Sequence, residues 1–210
     1  KIIFVNIKLT NFKIKLFKTM RKTTLLLAVL LVSLLGFSQN ALYGVRAGIN
    51  ISDLNFEEAD GLIMPDHTHR NGFAIGFFGD YKFSENVGLL VEIQFSAEGS
   101  KEKYDQIDQE SGYNPESLRL DFVQMPIMAR IKLTDKLTFG LGPQLGLKVH
   151  AYDDNIKNIH FSGIGGLEYM ISDEFFLDFR YSLGFTNIFD DNVGVKARNQ
   201  NMQIGFGLKI

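Results

Sequence analysis

The sequence contains no cysteine, few prolines and no large excess of charge of either sign. Its 210 residues include 4 prolines, and 22 basic against 24 acidic side chains give a formal net charge of −2. The lack of cysteine excludes disulfide cross-links, thiolate nucleophiles and cysteine-ligated metal sites. The near-neutral charge argues against nucleic-acid binding, which normally requires a basic excess on one face. A chain of this length most economically forms one domain.

The chain also has no apolar stretch of the length that a transmembrane helix needs, which is about 20 residues. Its main apolar stretch, Leu25–Leu35, follows the basic pair Arg21-Lys22 and precedes two small residues, Gly36 and Ser38. This order is typical of a secretory signal peptide, although a buried core helix is the alternative. We predict a signal peptide over residues 20–38, and we interpret residues 1–19 as an upstream extension that is not part of the mature protein.

From residue 39 onwards, apolar residues alternate with polar residues or glycine, as in strands with two unlike faces. Eight such runs lie near residues 43–51, 72–83, 87–96, 118–133, 137–148, 159–171, 175–186 and 201–210. The fourth run changes phase near Asp121-Phe122-Val123, which predicts a β-bulge. Each run is about as long as a tilted strand needs to cross a bilayer, roughly 9–11 residues.

The connections between these runs alternate between short and long. Three short connections at residues 83–87, 133–137 and 171–175 share a Ser or Thr, an acid and one more polar residue. Such segments favour tight hairpin turns. Four longer, polar and acidic connections lie near residues 52–71, 99–117, 150–158 and 187–198. Short turns at one end and long loops at the other are typical of outer-membrane barrels. We therefore predict an all-β, eight-stranded antiparallel up-and-down transmembrane barrel over residues 39–210.

The alternation alone leaves two orientations open, because a soluble lipocalin-like carrier would turn its apolar face inward. Charges at mid-strand between small glycines favour a narrow barrel in which long charged side chains interlock. Aromatic residues near strand ends, as at Tyr43, Phe83, Phe139, Phe175 and Phe185, are typical of interfacial girdles. We predict that the apolar face meets lipid. The charges predicted to face inward are Arg46, Asp80, Lys82, Glu92, Arg130, Lys132, Lys148, Glu168, Asp178, Arg180 and Lys209.

These features together resemble the PorT-like outer-membrane β-barrel family of Bacteroidetes. The resemblance rests on the Phe-Ser before Gln39, the glycine-rich alternating strands, the Ser/Thr-acid turns and the terminal Phe-Gly-Leu-Lys-Ile. It covers about residues 39–210. It implies an OmpA- or OmpX-type barrel in the outer membrane of a Gram-negative bacterium, assembled there by the outer-membrane assembly machinery and embedded in its lipid as a monomer. Most members of the family have no assigned activity.

Two groups of histidines are candidate sites. Asp66, His67 and His69 lie together in the first predicted long loop, where alternate imidazoles on one side could bind a metal. A solvated polar loop is the favoured alternative.

His150 and His160 are predicted at the loop-side rim, where a hydrolase could use them with Ser162 and the acids Asp153 and Asp154. These residues are candidates by composition alone. No catalytic, cofactor-binding or metal residue is assigned.

The interior charges could form a proton or ion path, or a structural network. Eight strands enclose a space that side chains just fill, and buried charges must pair, so the network is favoured. The loop acids could bind calcium or a partner protein, or keep the loops soluble; they are Asp53, Glu57, Glu58, Asp60, Glu102, Asp105, Asp108, Glu110, Asp153, Asp154, Asp190 and Asp191.

The sequence thus favours a non-enzymatic barrel with a structural, adhesion or envelope-assembly role through its external loops. A rim-active hydrolase or acyltransferase and a periplasmic carrier are the alternatives.

Overall fold

The chain forms eight β-strands. The computed structural model describes residues 41–57, 67–102, 117–151, 155–190 and 194–210. The strands are β1 (Ala41–Glu57), β2 (His67–Lys82), β3 (Val87–Glu102), β4 (Ser117–Lys132), β5 (Leu137–Ala151), β6 (Ile159–Met170), β7 (Phe175–Gly184) and β8 (Lys196–Lys209). Within these ranges, no helix has the length and apolar character that crossing a membrane would require. The predicted extension (1–19) and signal peptide (20–38) lie outside the described residues.

The strands close into a barrel in which each strand pairs with its neighbours in sequence and β1 pairs with β8. The closing pair is antiparallel and runs from Gly44 opposite Lys209 to Glu57 opposite Lys196. Closure leaves no sheet edge with unpaired backbone groups, each of which would cost several kcal/mol in hydrocarbon. The predicted eight-stranded antiparallel barrel is confirmed.

The apolar face of the strands points outward. On β7 exposed and buried residues alternate without interruption, so that Leu177 is 47% exposed and its neighbour Asp178 only 5%. Rows of aromatic side chains lie on the outside, with Tyr43 stacked on Phe77 and Phe175 stacked on Phe206. The predicted orientation is confirmed. The carrier hypothesis is wrong, because it requires these residues to line a cavity.

The three short turns share one hydrogen-bonding pattern. In the last of them, Ile171 N and Ser172 N both donate to Phe175 O, at 2.8 and 3.2 Å, and Phe175 N donates to Ser172 Oγ at 3.1 Å. The same three bonds recur in the turns at 83–87 and 133–137. The Ser or Thr seen in all three turns therefore closes each hairpin by binding the first backbone N–H of the next strand.

The strands at the loop end are longer than the sequence predicted. β1 continues to Glu57 and β2 already begins at His67, where a loop over 52–71 was expected. In the same way β3 continues to Glu102 and β4 begins at Ser117. Polar residues face outward on these extensions, so the apolar alternation used to place the strands ends before the strands do.

The alternation of apolar and polar residues changes phase where the strands leave the apolar band. On β4 the inward residues Leu118, Leu120 and Phe122 are buried, while Arg119 between them is exposed. Nearer the turn end of β4 the inward residue is Arg130, which is buried, and outward Ile131 is 48% exposed. Outside the membrane the outer face of the barrel contacts water. The apolar side chains of that part therefore lie on the inner face, although the strand continues in the same direction.

The bulge predicted from this phase change is confirmed, but it is carried by the neighbouring strand. Asp121 pairs with His150 and Phe122 with Lys148, which leaves Val149 of β5 as the extra residue.

Candidate functional site

The interior of the barrel is the site that the sequence pointed to, and its middle holds a chain of four buried charges. Arg46 Nε lies 2.6 Å from Asp178 Oδ2, which also lies 2.7 Å from Arg180 Nε. Arg180 Nη1 continues the chain to Glu92 Oε2 at 2.5 Å. Two arginines thus alternate with two carboxylates, which gives each buried charge an opposite partner. The structural network favoured by the sequence is present.

Glycines make the room that this network needs. A Cβ on Gly205 would collide with Asp178 Oδ1 and the guanidinium of Arg46, and one on Gly76 would collide with Glu92 Oε1. The glycines between the charges are therefore spacers, as the sequence suggested.

A second ionic cluster lies at the turn end. Arg130 reaches Asp80 Oδ2 at 3.0 Å and Glu168 Oε1 at 2.5 Å, and Lys209 Nζ also binds Glu168 Oε1, at 2.6 Å. The cluster borders a cavity of about 540 Å³ whose rim carries Lys82, Lys132 and the turn residues. Lys82 and Lys132 lie on the inward side of their strands, as predicted, but they line the open end of this cavity and are exposed to solvent. Both lie at the very end of their strands, where a long side chain reaches water.

Lys132 also binds the adjoining turn. Its Nζ donates to Asp135 Oδ1 at 2.8 Å, and this hydrogen bond, followed by the attraction of the lysine charge, lowers the pKa of Asp135 below its usual value.

Between the ionic clusters lies an apolar group that the sequence analysis missed. Phe78 and Phe176 are fully buried and meet edge to face at 5.7 Å, and Leu90, Met128 and Ile164 complete the group. Phe176 follows Phe175 directly, so one phenylalanine points outward and the next points inward. The pattern of apolar residues in the sequence therefore does not show that Phe176 lies inside the barrel. Their facing glycines, Gly44 opposite Phe78 and Gly207 opposite Phe176, were the available signal.

A buried acid that the sequence analysis also missed occupies the next layer towards the loop end. Glu98 is fully buried, and its carboxylate accepts hydrogen bonds from Ser96 Oγ at 2.6 Å, Gln124 Nε2 at 2.9 Å and Asn201 Nδ2 at 3.0 Å. Asn199 Nδ2 donates to its other oxygen. Four neutral donors, and no cation among the described residues, hold this carboxylate.

An apolar cap closes the barrel above Glu98. Leu54, Leu118, Leu120, Phe122 and Ala197 from the strands pack against residues of two connections; those residues are Ile156, Ile188 and Phe189. The two connections pair with each other, since Lys157 N donates to Ile188 O at 2.8 Å and Asp190 N donates to Asn155 O at 2.8 Å. The β5–β6 and β7–β8 connections therefore form one layer that covers the mouth.

Of the proposed hydrolase residues, His160 and Ser162 line the same small cavity inside the barrel, but the imidazole binds Lys157 O and not the Ser162 hydroxyl. His160 faces inward, with Nε2 2.6 Å from Lys157 O and its ring edge against Phe122. Ser162 Oγ accepts a hydrogen bond from Gln144 at 3.2 Å. His150 is exposed on the outer face beside Asp121. Asp153 and Asp154 lie outside the described residues.

The histidines of the supposed metal site do not form a pair either. His67 and His69 belong to β2 and not to a loop, and His67 stacks on Phe56 with ring centroids 4.4 Å apart. His69 is exposed, and Asp66 lies outside the described residues.

Comparison with known proteins gives one family and a set of similar barrels. Residues 37–190 match the family model described as outer membrane protein beta-barrel domain. Neisserial surface protein A is similar at 15% identity and a TM-score of 0.53, over 80% of this chain and 97% of its own. Ail, the attachment invasion locus protein of Yersinia pestis, is similar at 13% identity and a TM-score of 0.49, over 81% and 99%. No curated protein matches the sequence. At these identities the likeness concerns the fold alone.

Proposed function

The chain belongs to the outer membrane protein beta-barrel domain family, and from that premise we propose that it is a closed, non-enzymatic barrel that binds macromolecules outside the cell. The observation that carries the proposal is the filled interior, which ends at the loop end in an apolar cap. The loops and strand extensions at that end are then the surface on which the protein acts.

The side chains that fill the interior of the barrel argue against a pore. Three successive obstacles lie along the axis: the Arg130 cluster, the apolar group around Phe78, and the chain from Arg46 to Glu92. Moving an ion through would require separating paired charges in a space that side chains already fill. A solute entering the turn-end cavity meets this packing and stops.

The loop end is built as a rigid base for its loops. Its interior is packed like the core of a soluble protein, with Leu54, Leu120 and Phe122 at most 3% exposed, and its strands remain paired up to Glu57 and Lys196. A packed core keeps the exposed segments at fixed spacing, and preorganisation of this kind lowers the entropic cost of binding a partner.

We propose that acids in the loops contribute to this binding. Asp53 accepts a hydrogen bond from Ser100 at 2.8 Å and is held in the wall. Most of the other acids, including Glu58, Asp60, Asp105, Asp108, Glu110 and Asp191, lie outside the described residues. Outer-membrane barrels carry their long loops on the outside, so these acids would face the medium.

The test is to neutralise Asp105, Asp108 and Glu110 to their amides and to measure attachment of cells displaying the protein to host-cell or abiotic surfaces. The matched control neutralises Glu85, Asp173 and Glu174, which are exposed in the turns at the opposite end. We expect attachment to fall in the loop variant and to stay unchanged in the control. Equal attachment by both variants and by cells without the protein would contradict the proposal, as would ion conductance of the purified protein in planar bilayers.

We also propose that the chain is a PorT-like protein of Bacteroidetes and that its mature form begins at Gln39 after removal of residues 20–38. Amino-terminal sequencing of the protein from isolated outer membranes would test this. A mature start upstream of residue 20 would contradict it.

A further inference from the structure

Two prolines lie inside strands of the barrel wall. Of the 4 prolines in the sequence, Pro126 belongs to β4 and Pro143 to β5. Proline has no backbone N–H, so within a sheet it removes a hydrogen bond of the ladder and is normally confined to edge strands or bulges. A closed barrel has no edge strand, and the register is the same on both sides of each proline, so neither lies in a bulge.

The pairing of the strands is interrupted at both prolines. β3 and β4 do not pair where residues 92–93 lie opposite 125–126. β4 and β5 do not pair where residues 127–128 lie opposite 142–143. By contrast, β5–β6, β6–β7 and β7–β8 pair without a gap over the same part of the wall. The two interruptions flank β4 on either side and are called here the β4 seam.

On the β5 side, the seam leaves Ile127 O without its ladder donor. In an antiparallel pair, opposite residues exchange backbone hydrogen bonds at every second position. Leu133 N donates to Leu137 O at the turn, and counting by twos from this bond reaches Ile127 opposite Pro143. The oxygen lies beside Gly142, where a Cβ would collide with it. A Cα–H···O contact of that kind is weaker than the missing N–H···O bond.

On the β3 side, the seam affects a residue of the buried charge chain. Lys132 N donates to Asn86 O, and counting by twos from this bond reaches Glu92 opposite Pro126. Glu92 O therefore faces a nitrogen that cannot donate, while the Glu92 carboxylate binds Arg180 at 2.5 Å. A shift of the backbone at Glu92 thus moves one end of the charge chain.

The seam lies at mid-depth of the apolar band. On β4 the outward apolar residues run from Val123 to Ile131, with Ile127 in the middle. Pro143 lies opposite Ile127 and at the same depth. Hydrocarbon contains no water that could replace a missing backbone donor, so an unpaired oxygen destabilises the wall more there than at the membrane surface. The missing bonds therefore make it easier to part β4 from its neighbours.

We propose that the barrel wall opens locally at the β4 seam while the rest of the barrel stays closed. Local opening requires less free energy where fewer hydrogen bonds must break. The seam frees the middle of β4 from both neighbours, so that the strand bends there. Because β4 also carries Leu118, Leu120 and Phe122 of the apolar cap, this bending shifts the cap relative to the turn end.

The test is hydrogen–deuterium exchange of the protein in lipid nanodiscs, measured at single amides by NMR. The amides of Glu92 and Ile127 report on the seam. Those of Leu167 and Phe179, which pair at the middle of β6 and β7, are the controls at matched depth. We expect the seam amides to exchange about tenfold faster, which corresponds to the net contribution of one hydrogen bond. Equal rates at all four amides would overturn the proposal.

A variant that restores the donor tests the cause of the opening. The side chain in Pro143→Val faces lipid and its N–H lies opposite Ile127 O, so exchange at Ile127 should slow about tenfold. Leu145→Val is the control, because it changes a side chain on the same outer face and adds no donor.

Unchanged or faster exchange at Ile127 in Pro143→Val, or an equal slowing in Leu145→Val, would show that the missing donor does not cause the opening. Heat-modifiable gel mobility verifies that each variant is folded. The wild-type comparison decides the proposal by itself if a variant does not fold.

Discussion

At the scale of single residues, the barrel depends on charges that have been removed from water and paired. Arg180 is 3% exposed and contacts both Glu92 and Asp178. Burial disfavours the charged form of an arginine, and the two carboxylates offset that cost. Removing one member leaves the others buried without compensation, which is the costly case for an internal ion pair.

Arg180→Met therefore should lower the free energy of unfolding by about 3–5 kcal/mol. Urea titration of the protein refolded in lipid vesicles measures this. Lys196→Met, which removes an exposed cation, is the control and should change stability by less than about 1 kcal/mol. If Arg180→Met also changed stability by less than about 1 kcal/mol, the interior would be hydrated and its charges would be screened.

A second prediction at this scale concerns the glycines of the inner wall. Gly205→Val places a branched side chain against Asp178 and Arg46, and we expect a loss of about 1–3 kcal/mol or more from overpacking. Gly79→Val is matched to it, because a Cβ at Gly79 meets only the ring of Tyr43, at 3.7 Å. Both variants go through the same urea titration. Equal effects would show that the inner wall has spare space.

At the scale of elements, the strands that extend beyond the membrane, such as β1 and β4, have two zones with opposite patterns. On β1 the outward residue Ile49 is apolar and 56% exposed, whereas further along the strand the outward residue Asn55 is polar and Leu54 faces the core. One strand thus meets lipid along part of its length and water beyond it.

Leu177→Arg tests the lipid zone. Leu177 lies inside the apolar band, one outward position from the girdle residue Phe175, so an arginine there should cost about 1–3 kcal/mol, between the values for mid-membrane and for the interfaces. Asn55→Arg is the control on the extension, where little change is expected. Folding titrations in vesicles compare the two, and a Leu177→Arg protein as stable as wild type would contradict the assigned outer face.

This two-zone pattern also explains what could be read from the sequence. The alternation in 175–186 and the three Ser/Thr-acid turns were enough to predict eight strands, their order and their outer face. The strand ends could not be predicted, because β1 beyond residue 51 alternates with its apolar residues inward and looks like a loop when lipid is assumed outside. Residues 118–133 showed the change of zone, which was interpreted only as a bulge.

The candidate site could be predicted from the sequence where charged residues alternate with glycines along a strand. Arg46, Glu92, Asp178 and Arg180 were placed inside for that reason. Glu98 was missed because its partners are the neutral side chains of Ser96, Gln124, Asn199 and Asn201, dispersed over three strands. Neutral donors from distant segments leave no local pattern in a sequence.

At the scale of the whole molecule, the barrel is a closed wall with lipid outside, paired charges within and an apolar cap at the loop end. Closure removes the sheet edges, and the filled axis prevents passage. What remains accessible at the outer side is the loop end, so the proposed function concerns that surface and not the interior.

The absence of cysteine makes the central claim directly measurable, since a single introduced cysteine can carry a spin label without competition. Labels at Leu177→Cys and Phe179→Cys, in lipid vesicles, should collide with molecular oxygen and be protected from a water-soluble nickel complex. A label at Asn55→Cys should show the opposite. If the nickel complex reached residues 177 and 179 as readily as residue 55, the apolar face would not be in lipid, and the account would be wrong.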